Sequence, residues 1–199
     1  MRSFLTGSLF LIALAHLTLE LCANYLPVIY PVLISTWGLT YTQVGIIPLI
    51  LGVSGSLAQP IFGYLSDRWG THRMIVFSIA WMGLMMGLIG FSPSYPVLLG
   101  LVAAGALGSA AFHPAGATLA LTTGGSKRGA AVSVFSVGGN VGTALSPLLV
   151  AAGISWFGLG GTATLIPLAL LTSLVLHIQL SRASSRQAGR EGPTLRKGA

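Results

Sequence analysis

GYLSDRWGTHR, residues Gly63 to Arg73, is the stretch on which the fold turns. It gathers Asp67, one of only three acidic residues in the chain, with Arg68 and Arg73. Long apolar tracts flank it on both sides, about Thr42 to Leu65 before it and about Met74 to Phe91 after it. Charge confined to a short link between two such tracts is the pattern of a polytopic membrane protein. Neither tract alternates in polarity, so helices are expected rather than barrel strands. By themselves the residues of the link read as a turn with flanking charges and two glycines.

The rest of the chain agrees. Of its 199 residues, 53% are hydrophobic and 7% charged, against about 25% charged in soluble domains. Six apolar tracts are expected to span the membrane, at about 4–34, 42–65, 74–91, 96–121, 130–154 and 162–180. The first is long enough to tilt or to bend at Pro27 and Pro31. Its early charge is Arg2 alone, and Glu20 interrupts any cleavage region, so it reads as a retained span rather than a signal peptide. All ten Lys and Arg residues lie at one set of connections: Arg2, Arg68, Arg73, Lys127, Arg128, and five from Arg182 onward. The alternate loops have none, which places both termini in the cytoplasm. The basic tail, 181–199, has too little apolar surface to fold alone and is expected to be disordered. The net charge of +7 follows this topology and forms no stripe for nucleic acid. With Cys22 as the one cysteine, no intrachain disulfide is possible.

Small residues recur at four-residue spacing, in Gly52/Ser56, Gly83/Gly87 and Gly138/Gly142. Such pairs let helix backbones approach closely. Polar groups inside the tracts are rarer. Glu20 is the only acidic one; His16 lies one turn before it on the same face, and Asn24 continues that face. A charge at mid-bilayer costs roughly 2.5–3.5 kcal/mol on insertion scales, so such a group faces a cavity or a partner. Glu20 and His16 are therefore candidates for proton coupling, with a purely structural polar cluster as the other reading. Asn24, His113 and Asn140 are candidates for lining a substrate cavity. His113 lies about 26 Å of helix from Pro96, directly before Pro114, which bends a helix. Gln59 is expected to satisfy carbonyls freed by Pro60. There is no phosphate-binding glycine loop, no metal-ligand spacing and no GxSxG, so neither an enzyme, nor a cofactor, nor a metal is expected.

The Gly63–Arg73 loop resembles the signature loop of the major facilitator superfamily of secondary transporters. Gly63, Leu65, Asp67, Arg68, Gly70 and Arg73 match it; Thr71 and His72 depart from it. "HLTLE" in the first tract, "FHPAG" in the fourth and "VGGNVGTALSPLL" in the fifth resemble the fosmidomycin resistance protein branch. Ala115 departs, since relatives often carry an acidic residue after His-Pro. The fifth tract also resembles an antiporter signature, with Ser146, Val150 and Ala151 as departures. The resemblance implies an all-α integral membrane protein, one six-helix half of the fold, in the plasma (inner) membrane. It implies proton-coupled efflux of a small drug-like or anionic compound. Asp67 and Arg68, with Gly63, Gly70 and Arg73, would act as the gating loop, the aspartate engaging a helix N-terminus of the opposite bundle. The partner would be a second six-helix half or a parallel second copy. The alternative is a non-transporting bundle, either a truncated fragment or a partner subunit of another membrane protein.

Overall fold

The computed structural model describes the backbone of residues 2–191 and the side chains of residues 7–182. Among the described residues there is no strand. The helices are α1 (Arg2–Ala23), α2 (Leu26–Trp37), α3 (Tyr41–Trp69), α4 (Thr71–Gly87), α5 (Tyr95–Gly124), α6 (Arg128–Phe157) and α7 (Leu165–Glu191). Short 3-10 turns lie at Ile89–Phe91, Gly125–Lys127 and Gly158–Thr164. Four stretches are long and apolar enough to cross a membrane: 7–37, 41–69, 71–91, and 95–182, which contains α5, α6 and most of α7.

The first tract breaks earlier than its prolines, at Asn24–Tyr25. The cause is Pro27, near the start of α2. It has no N–H for the Ala23 carbonyl, and its ring collides with that carbonyl, so the helix stops one turn upstream. Tyr25 is fully buried at the break. Its hydroxyl donates to the Met86 carbonyl at 2.6 Å, tying the break to α4. α2 ends at Gly38 (φ +64°). α3 then opens with a capping box, in which Thr40 Oγ1 accepts from the Gln43 N–H at 3.2 Å and the Thr40 N–H donates to the Gln43 side chain at 2.9 Å.

The charged loop is a single residue. Gly70 caps the end of α3 and the start of α4 with φ +90° and ψ 133°. Nothing lies within 4 Å of where its Cβ would be, so conformation rather than space requires glycine. Gly70→Ala is expected to cost about 1–3 kcal/mol, read as a lower midpoint of thermal unfolding in detergent.

α1 occupies the middle of the bundle and packs on α4, α5, α6 and α7, most extensively on α6; α5 lies between α3 and α4. Glycine makes the close contacts. A Cβ at Gly138 would overlap the Ala13 carbonyl, and one at Gly142 that of Leu17. On the α4–α7 face, Gly83 abuts Ala169 and Gly87 abuts Ile166. The expected role of both pairs in close packing is met. Gly52 differs: nothing lies within 4 Å of its Cβ position, because this part of α3 faces a cleft. Polar bonds between helices add to the glycine contacts. Ser146 donates to the Leu21 carbonyl at 2.6 Å and Trp81 to the Ala104 carbonyl at 2.7 Å. Thr162 donates to the Gly87 carbonyl at 2.9 Å and accepts from the Gly90 N–H at 3.0 Å.

The outer surface is apolar, with Leu49, Leu57 and Ile61 on α3, Val137 and Leu148 on α6, and Leu171 and Leu174 on α7 exposed. α7 continues to Glu191, past Leu180, where a disordered tail was expected to begin. Residues 181–191 include three Arg, two Ala, one Gln and one Glu, which prolong an existing helix at little cost. The remainder of that segment, 192–199, lies outside the described residues.

Candidate functional site: a histidine–carboxylate cluster in a polar cleft

His16, Glu20 and Asn24 come from the last two turns of α1 and the break that ends it. The one-turn spacing puts them on one face. His16 Nε2 lies 3.3 Å from Glu20 Oε1. The Asn24 side-chain amide donates to Glu20 Oε2 at 2.6 Å and to the Glu20 carbonyl at 3.1 Å. The helix break thus leaves Asn24 free to fold back on the carboxylate.

Tertiary packing adds a third group. His113 of α5 brings its Nε2 to 3.6 Å from the same Glu20 Oε1. The expectation that His113 lines a cavity is compatible with this position, but its neighbour is the carboxylate itself. The next two residues, Pro114 and Ala115, continue α5, and Ala115 is fully buried in the core. An acidic residue at position 115 would therefore lie in the apolar interior rather than beside His113.

α6 fixes the chemistry of His16. Its ring stacks on Phe135 at 4.0 Å between centroids, and its Nδ1 lies 2.8 Å from the Phe135 carbonyl oxygen. A carbonyl only accepts, so Nδ1 carries a proton. In neutral His16 the Nε2 lone pair then points to Glu20. The Nε2–Oε1 contact is favourable only with one proton on it, as imidazolium with carboxylate or as imidazole with carboxylic acid. Gly139 makes this placement possible, since a Cβ there would meet the His16 ring at 2.5 Å.

The cluster opens into a cleft of about 260 Å³. Its walls include Glu20 from α1, Asn24 from the break after it, Ser109 and His113 from α5, and Gly52, Ser56 and Gln59 from α3. The expected role of Gln59 is not seen: it makes no side-chain hydrogen bond among the described residues and faces the cleft instead. Ser56, Gln59 and Ser109 were not expected at the site. Helical spacing of Gly52, Ser56 and Gln59 was their only signal, and it reads equally as close packing.

The other candidates lie elsewhere. Asn140 is exposed on α6 and does not line this cleft. Asp67, Arg68 and Arg73 are exposed at the α3–α4 turn, where Arg68 stacks over Tyr64 at 4.9 Å. Among the described residues Asp67 has no ion-pair partner.

Comparison with known proteins gives a consistent picture. A family profile, Major Facilitator Superfamily, matches residues 9–197. The chain is 35% identical to the fosmidomycin resistance protein of Escherichia coli over 181 residues, 91% of this chain and 44% of that protein. It is 36% identical to the MFS-type transporter YfnC of Bacillus subtilis over 72% of this chain and 35% of that protein. A probable 4-methylmuconolactone transporter of Cupriavidus pinatubonensis is 33% identical over 63% of this chain and 30% of its own length. The chain thus spans less than half the length of each of these relatives. With its long apolar helices, its signature loop and a match that covers most of its length, the chain belongs to the major facilitator superfamily.

Proposed function

We propose that this chain forms one six-helix half of a proton-coupled transporter that exports a small anionic or drug-like compound across the plasma (inner) membrane. The observation that carries the reading is the position of Glu20. It is the one carboxylate near the middle of an apolar stretch, 7–37, whereas Asp67 lies at the end of 41–69; it faces a polar cleft, and its contact with His16 requires one proton. A group that binds a proton at mid-membrane and opens to a cavity is what coupling requires. Efflux of a drug-like compound is supported by the name of the Escherichia coli relative. Glu20 and His16 would exchange the proton, while Asn24 and His113, which line the cleft, would meet substrate.

Length supports six crossings. The 95–182 stretch has 88 residues, about 130 Å if straight, several times the bilayer core. The turns at Gly125–Lys127 and Gly158–Thr164 divide it into three helices of spanning length. The basic connections support a topology with both termini in the cytoplasm.

Transporters of this superfamily bind substrate between two six-helix bundles. The second bundle is either further chain or a parallel second copy. In either arrangement Asp67 would sit at the N-terminus of a helix in the opposite bundle. In a parallel dimer that helix is α6 of the other copy, where Gly129 and Ala130 are exposed. Cysteines at Asp67 and Ala130, one per chain, should cross-link between two differently tagged copies. Absence of such a cross-link in membranes would sink the dimer and leave a separate partner bundle.

The transport reading is tested in cells lacking their own exporter. Expression of the chain, alone or with a partner bundle, should raise tolerance to fosmidomycin or a related small anion. Vesicles from those cells should move protons when substrate is added. Neither effect under either condition would refute the reading.

A further inference from the structure

We propose that His16, Glu20 and His113 form a binding site for a divalent transition cation of the zinc class, with coordination left open toward the cleft. The inference does not rest on the transport reading, because cation binding is read on the chain itself. One ligand atom from each residue lies within 4.8 Å of the other two. Two of the three separations centre on Glu20 Oε1, at 3.3 Å to His16 and 3.6 Å to His113. Zinc bonds of about 2.0–2.1 Å in a tetrahedron place neighbouring ligands about 3.3–3.4 Å apart. Two edges of that tetrahedron are therefore nearly preformed, and rotation of the partly exposed His113 side chain closes the third.

Two of the three ligands, His16 and Glu20, have the outer contacts that metal ligands require. The Phe135 carbonyl holds the proton of His16 on Nδ1, so the Nε2 lone pair is directed at the site. Asn24 engages Oε2 of Glu20, which turns Oε1 toward the two imidazoles. These contacts come from α6 and from the break after α1, and a purely packed polar cluster needs neither a fixed tautomer nor a selected carboxylate oxygen.

The donor set selects the cation. Two imidazoles and one carboxylate suit zinc and its neighbours, whereas calcium and magnesium prefer oxygen ligands. A dication with one carboxylate keeps a net positive charge. The remaining position faces the cleft wall of Ser56, Gln59 and Ser109, and there it would take water or an oxygen of an anionic solute. Cation and shared proton exclude each other, since the ligands must be unprotonated.

The 199-residue chain, purified in detergent without a polyhistidine tag, is titrated with Zn²⁺ by calorimetry and with Co²⁺ by absorption spectroscopy. One Zn²⁺ per chain and the Co²⁺ bands of a low-coordinate N/O site are expected. Glu20→Gln and His113→Ala should each weaken binding by more than about tenfold, and Asn24→Ala by about tenfold. His72→Ala and His177→Ala should leave it unchanged. His113→Cys should bind better than His113→Ala, because a thiolate ligates zinc; this separates loss of a ligand from loss of fold. Failure of the native chain to bind stoichiometrically, or full binding by Glu20→Gln and His113→Ala combined, overturns the site. Zinc binding without transport removes only the transport reading, and transport without zinc binding removes only the cation site.

Discussion

Glu20→Gln is expected to abolish substrate-driven proton movement while leaving the bundle folded. Glutamine preserves the shape of the side chain and an oxygen that His113 or Asn24 can bond. It cannot take up or release the proton that the Nε2–Oε1 contact requires. The expected result in membrane vesicles is proton flux at background, with expression and thermal stability near those of the native chain. His16→Gln should give a smaller loss, since Glu20 keeps His113 at 3.6 Å and Asn24 at 2.6 Å. If Glu20→Gln retained full proton flux, the cluster would be structural and the coupling group would lie outside this bundle.

Gly138→Ala and Gly142→Ala are expected to have large effects on stability. Each added methyl would overlap a backbone carbonyl of α1, of Ala13 and Leu17 respectively, and backbone cannot turn aside as a side chain can. Overpacking of this kind costs about 1–3 kcal/mol per site. The double variant should cost less than the sum, because one displacement of α6 relieves both overlaps. That displacement also draws the Phe135 carbonyl away from His16, so the double variant should lose proton flux beyond what its lower stability explains. Gly45→Ala is the control: nothing lies within 4 Å of its Cβ position, and stability should hold or rise slightly. Equal unfolding midpoints for all three variants would mean that α1 and α6 do not meet as described.

The helical tracts were legible because hydrocarbon demands long apolar runs and charges retreat to the ends. The His16–Glu20–Asn24 face was legible because one helical turn is a fixed spacing. Where a single helix stops was less so. Pro27 ended α1 a turn upstream, at Asn24, and that placed Asn24 on the carboxylate. The Thr40–Gln43 capping box is also a local pattern, since both partners lie within one turn.

What the sequence by itself determined is therefore the membrane class, the order of the helices, the signature loop and the pairing of His16 with Glu20. These depend on hydropathy and on contacts within one turn of backbone. Only the tertiary structure decided that His113, 93 positions beyond Glu20, shares its carboxylate oxygen. Only there does a backbone carbonyl, which every residue has, set the tautomer of His16. The same packing separated Gly52, at an open cleft, from Gly138, pressed against a carbonyl, although both belong to the same four-residue pattern. Spacing states which residues share a face, but the face that meets a neighbour is chosen by the packing of the whole bundle.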